Sequence, residues 1–92
     1  MGKETVLFKS EEKMSNSEAA ALLRSLADKI ETGKVVLSQG DKEVRLKVPE
    51  RVEVEIKAEK EAGKNTTKKK VEVEIEWLVG DSAKKSGPLK VK

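Results

Sequence analysis

Five glutamates, Glu53, Glu55, Glu72, Glu74 and Glu76, recur at two-residue intervals in two stretches of this 92-residue chain. On extended backbone that spacing puts each set on one face. Carboxylates held close together could bind an oxygen-seeking cation such as Ca²⁺ or Mg²⁺. Two of them could also act as acid and base, as in glycoside hydrolysis. Against both readings, no Asp-rich loop with calcium-ligand spacing is present, and Asp occurs only at 28, 41 and 81. The glutamates are therefore read as a solvated face, with Arg45, Lys47, Arg51 and Lys57 of the same sheet as their counter-charges.

Other catalytic chemistry has little to work with. The chain has no His and no Cys, so the usual general base, thiolate nucleophile and zinc-thiolate ligands are missing. Ser10, Ser15, Ser17 and Ser25 have no such partner for a relay. Gly33 and Gly40 suit a helix end and a turn; no glycine-rich phosphate loop precedes a helix. No enzyme activity, metal or cofactor is expected.

Positive charge is concentrated. Residues 57–70 carry six basic and two acidic side chains, although the whole chain is only +3. Lys60, Lys64, Lys68, Lys69 and Lys70 are the candidate contacts, with Lys57 beside them and Lys84, Lys85, Lys90 and Lys92 near the C-terminus. Such a cluster could hold phosphates of nucleic acid in a salt-dependent way. It lacks the bidentate Arg that reads base edges and has no interleaved aromatic residue for stacking. Trp77 is the lone Trp. It could stack on a base or anchor in a partner's pocket, but its parity with Val71, Val73 and Ile75 assigns it to a buried face.

These residues need elements to place them. Thr5–Lys9 reads as a short first strand, with Val6 and Phe8 on one side. Ser15 followed by Glu18 has capping-box spacing. Ala19, Leu22, Leu23, Leu26 and Ile30 then form an apolar helical stripe, which Gly33 ends. Val35 and Leu37, then Val44, Leu46 and Val48, flank a Gly40-Asp41 turn and predict a hairpin; Pro49 stops it. Val52, Val54, Ile56 and Ala58 alternate with charged residues, as do Val71, Val73, Ile75 and Trp77. This is the pattern of antiparallel strands with one wet face. Residues 61–69 read as a mobile Lys-rich loop.

The expected fold is α+β, in the order β-α-β-β-β-β, with one amphipathic helix packed on one face of an antiparallel sheet of four or five strands. Residues 1–80 read as a single domain, and 81–92 as a disordered Lys-rich tail. So small a domain needs nearly all its apolar residues for its core and has few to spare for a deep ligand pocket.

Four blocks carry a resemblance. They are Val6-Leu7-Phe8-Lys9-Ser10-Glu11; Glu18-Ala19-Ala20 with Leu23-Arg24 and Leu26-Ala27-Asp28; Gly33 with Val36-Leu37 and Gly40; and Val73-Glu74-Ile75-Glu76-Trp77. In this order and spacing the chain resembles the amphi-Trp domain of bacteria and archaea. The resemblance implies a fold and no activity. The Lys-rich loop and tail lie outside the matching blocks.

The expected function is a non-catalytic, cytoplasmic interaction module that contacts a protein partner or itself through a sheet edge or open face. The alternative is weak, salt-dependent nucleic-acid binding through the lysines of 57–70 and the tail. No apolar run is long enough to span a membrane, and no membrane partner is expected.

Overall fold

A computed structural model describes residues 3–80, with one α-helix and four strands among them. The chain divides into two compact units, Met1–Glu50 and Arg51–Lys92. The proposed tail at 81–92 lies outside the described residues.

In the first unit, helix α1 spans Asn16–Thr32. Its start is fixed by a complete capping box. The Glu18 N–H donates to Ser15 Oγ at 3.1 Å, and the Ser15 N–H donates to Glu18 Oε1 at 3.0 Å. Those bonds, the backbone one first, hold the Glu18 carboxyl below its ordinary value of 4.5. A lowered folded-state pKa adds stability that is present above the unfolded value and lost as pH falls through the folded one. Helix signal in far-UV circular dichroism is therefore expected to fall on acidification below about 4.5. Glu18→Gln should flatten that step. Ser15→Ala should cost about 1 kcal/mol at neutral pH, as loss of a helix cap does. An unchanged acid profile in Glu18→Gln would refute this account of the cap.

Gly33 ends α1 with φ 83, in the left-handed region. Its N–H donates to the Ile30 carbonyl at 3.0 Å, and its own carbonyl accepts from the Val48 N–H at 2.9 Å. One glycine thus closes the helix and opens the next ladder. Strands β1 (Lys34–Gln39) and β2 (Lys42–Lys47) pair antiparallel, from Lys34↔Lys47 to Gln39↔Lys42. Between them Gly40 has φ 60, and Asp41 does not have positive φ. That is the type II′ pattern, whose twist suits a two-residue hairpin.

Helix α1 packs on β1. Val35 is buried, while Leu37, Val44, Leu46 and Val48 are half-buried. From the helix, Ala19, Ala20, Leu26 and Ile30 are half-buried. Leu22 and Leu23 of the expected stripe stand more than half exposed. A small two-stranded sheet offers too narrow a surface to cover the whole stripe.

The expected first strand does not form. Thr5–Lys9 is irregular, and Val6 and Leu7 are exposed. A strand exists only when a neighbour takes its hydrogen bonds, and among the described residues none pairs with this segment. Phe8 is half-buried and lines a groove with Leu22, Leu26, Val35 and Leu37.

In the second unit, β3 (Glu53–Ala62) and β4 (Thr67–Glu76) form one long antiparallel hairpin, from Glu53↔Glu76 to Ala62↔Thr67. The expectation of one four- or five-stranded sheet is therefore corrected. The fold is α+β, but its strands make two separate two-stranded sheets, β1–β2 and β3–β4. Alternation specifies which face a residue takes and leaves the choice of neighbouring strand open.

Candidate interaction surface

The β3–β4 register explains each candidate. The expected nine-residue loop shrinks to four residues, Gly63 to Thr66. The Gly63 N–H donates to the Thr66 carbonyl at 2.7 Å and closes the turn. Lys60, Lys68, Lys69 and Lys70 consequently lie in the strands, and only Lys64 is in the loop. The ladder continues because charges of opposite sign face each other. Lys57 is opposite Glu72, Glu59 opposite Lys70 and Glu61 opposite Lys68, all favourable cross-strand pairs.

Lys70 is the best-held of these lysines. Its Nζ is 3.0 Å from Glu72 Oε1 and 3.4 Å from Glu59 Oε1. The Glu72 carboxylate, then Glu59, pushes the Lys70 ammonium above its ordinary 10.5, and Lys70 in turn holds the Glu72 carboxyl below 4.5. These side chains are a third to a half exposed, so the pairs set register more than they add stability.

The lysines do not form one surface. Lys68 and Lys70 share a face with Glu59 and Glu61, whereas Lys60 and Lys69 oppose each other on the other face. Trp77 stands one residue past β4, half-buried, at the end of the hairpin away from Lys64. Ten rungs of ladder separate the indole from the turn, about 30 Å. The structure thus brings Lys60, Lys68, Lys69 and Lys70 to the tip in two pairs and leaves Trp77 at the base.

The glutamates are also placed by register. Glu53 faces Glu76, and Glu55 faces Glu74. Of the expected counter-charges Lys57 is in place on the same sheet, and Arg45 and Lys47 are not. Lys57 is opposite Glu72, while Arg45 belongs to the other sheet and pairs with Glu43 at 2.8 Å. Four carboxylates therefore meet at the hairpin's base with no cation opposite them in the ladder, which is destabilising. Among the described residues no group of three or more acidic side chains is arranged to hold a metal ion.

The reverse face carries the apolar row. Val54 faces Ile75, Ile56 faces Val73 and Ala58 faces Val71. The alternation anticipated this face, but not its exposure. Val54, Ile56, Val71 and Val73 are between 53% and 73% exposed. Both the opposed glutamates and the short turn become visible in the sequence once the two alternating runs are aligned about Gly63–Thr66.

A family model for the amphi-Trp domain matches residues 1–92, the whole chain. The chain belongs to the amphi-Trp domain family. No curated protein and no solved structure matches it. In this amphi-Trp domain the closing Val73-Glu74-Ile75-Glu76-Trp77 block is the last four residues of β4 and the residue after it. No helix among its described residues is long and apolar enough to cross a membrane.

Proposed function

We propose that this amphi-Trp domain is a non-catalytic interaction module of the cytoplasm that binds another protein, or a second copy of itself, through the β3–β4 hairpin. The observation that carries this reading is the exposed apolar row of Val54, Ile56, Val71 and Val73 on one face of that hairpin. Contiguous exposed apolar surface is where soluble proteins meet partners. Among the described residues β3 and β4 pair only with each other, and the edges this leaves support the same reading, since an unpaired strand edge invites strand addition.

Weak nucleic-acid binding is the second reading. Lys60 opposite Lys69, with no carboxylate across from either, favours it. The carboxylates beside Lys68 and Lys70 weigh against it, because they repel phosphate.

A photo-crosslinking residue tests both readings in the native host. Val73→p-benzoylphenylalanine should give a protein adduct on irradiation, several-fold above the yield from the same residue at Arg24 on the helix. An equal yield at the two positions would overturn the module reading. Adducts at Lys64 that contain nucleotides, with none at Val73, would establish the alternative instead.

A further inference from the structure

Strand β4 is polarised along its length. Its wet face reads Lys68, Lys70, Glu72, Glu74, Glu76, two cations followed by three anions. Among the described residues β4 pairs only with β3, so its outer backbone groups lack a strand partner. A two-stranded hairpin alone is marginal in water, and three or more strands make a stable sheet. What edge would β4 accept?

We propose that two copies of this chain pair antiparallel along their β4 edges about a twofold axis at Val71. Lys70 and Lys68 of each copy then face Glu72 and Glu74 of the other. This rests on the interaction-module reading and names its partner as a second copy.

Register selects this arrangement. In a twofold antiparallel pair the two facing residue numbers have a constant sum. Centring on Val71 sets Lys70 opposite Glu72 and Lys68 opposite Glu74, each twice by symmetry. The reverse face sets Val71 against its own mate and Val73 against Lys69, so no like charges meet there either. Moving the centre to Glu72 puts that carboxylate opposite itself. Centring on Lys70 opposes two ammonium groups, and centring on Val73 opposes Glu72 to Glu74. Like charges directly across a ladder are unfavourable, so the Val71 register is preferred.

The other edge behaves differently. The wet face of β3 reads Glu53, Glu55, Lys57, Glu59, Glu61. Every twofold register of that strand sets at least one Glu against another. The β3 edge is thus protected by its own charge, as outer strands commonly are. The β4 pairing is isologous and closes on itself, giving a four-stranded sheet in the order β3-β4-β4-β3 and no filament. It also brings Lys68 of the second copy beside the opposed Glu55 and Glu74, where the ladder within one chain supplies no cation.

The full-length chain tests this in two ways. Sedimentation equilibrium should give about twice the 10.2 kDa protomer mass, with the dimer Kd weakened about tenfold from low salt to about 1 M NaCl. The variants Lys68→Glu/Lys70→Glu and Glu72→Lys/Glu74→Lys should each sediment as protomers. Mixed in equal amounts they should recover the dimer, because every facing pair is then of opposite sign. Those substitutions also disturb the β3–β4 ladder, so a gentler variant is needed as well. The chain has no Cys. Val71→Cys would place two thiols at directly opposed ladder positions, about 4.5–5.5 Å between Cα atoms, within disulfide reach. Mild oxidation should link Val71→Cys chains in pairs and leave Ile56→Cys chains unlinked. A wild-type chain that stays a protomer at millimolar concentration would overturn the proposal, as would a dimer that Val71→Cys fails to link. If a protein adduct at Val73 persisted in that case, the module reading would stand with a different partner.

Discussion

With Val35 replaced by Asp, the amides of α1, β1 and β2 collapse into the narrow dispersion of an unfolded chain in a ¹⁵N–¹H correlation spectrum. Val35 is the buried apolar side chain of the first unit, at 5% exposure. It lies on β1, the strand against which α1 packs. Losing its apolar burial costs about 1.5–3 kcal/mol. Asp would also place a carboxylate at that buried position, and burying a charge costs free energy unless it is fully paired and hydrogen-bonded. A unit this small has only a few kcal/mol in reserve. Val35→Ala grades the effect, with an expected loss of about 1–2 kcal/mol from truncation alone. Val36 provides the control. It is the next residue on the same strand, faces the other way and is 52% exposed. Val36→Asp should leave the dispersed spectrum in place. Equal damage from the two Asp substitutions would mean that burial at Val35 is not what holds the unit together.

Gly33→Val is the second large loss, an expected destabilisation of about 1–3 kcal/mol in denaturant titration. Two effects combine. The backbone has φ 83 there, where a β-branched side chain is strongly disfavoured. A Cβ would also come 3.3 Å from the Val48 carbonyl oxygen. That carbonyl belongs to the residue whose N–H bonds Gly33, so retreat from the new methyl strains the start of the β1–β2 ladder. Gly33→Asn separates the contributions. Asn brings the same Cβ but tolerates left-handed backbone, so its loss should be clearly smaller than that of Val. Equal losses would assign the effect to the contact with Val48 and leave the backbone angle no part in it.

What was legible in the sequence was local. Ser15, Glu18 and Gly33 bound the helix because caps act within three or four residues of themselves. Gly40-Asp41 marked its hairpin for the same reason, since a turn needs only its own dihedral angles. The parity of Val54, Ile56, Val71 and Val73 was legible too, because strand geometry repeats every two residues. What failed was non-local. Thr5–Lys9 has strand-forming residues, yet a strand needs a neighbour, and no pattern within five residues specifies one. The counter-charges expected for the glutamates required Arg45 and Lys47 to share their sheet, and these two belong to the β1–β2 sheet instead. The supposed loop at 61–69 looked polar and Lys-rich, but composition is silent about pairing. Only the register shows Glu61 against Lys68 and Glu59 against Lys70. For the candidate contacts the outcome is divided. Lys60, Lys64, Lys68, Lys69 and Lys70 do gather near the tip, whereas Trp77 lies at the far end of the ladder.

The opposed charges at the two ends of the β3–β4 hairpin also act before any contact is made. Glu53, Glu55, Glu74 and Glu76 sit at one end, and Lys60, Lys64, Lys68 and Lys69 toward the other. With their centres separated by about 25 Å, they give the hairpin a large electric moment along its own axis. Two such moments brought side by side exert a torque that turns them head to tail, which is the antiparallel sense that β4 pairing requires. The field reaches about 10 Å at 0.1 M salt and farther in dilute buffer. Orientation would therefore be settled during the approach, and added salt would slow the meeting of two chains more than it would hasten their parting.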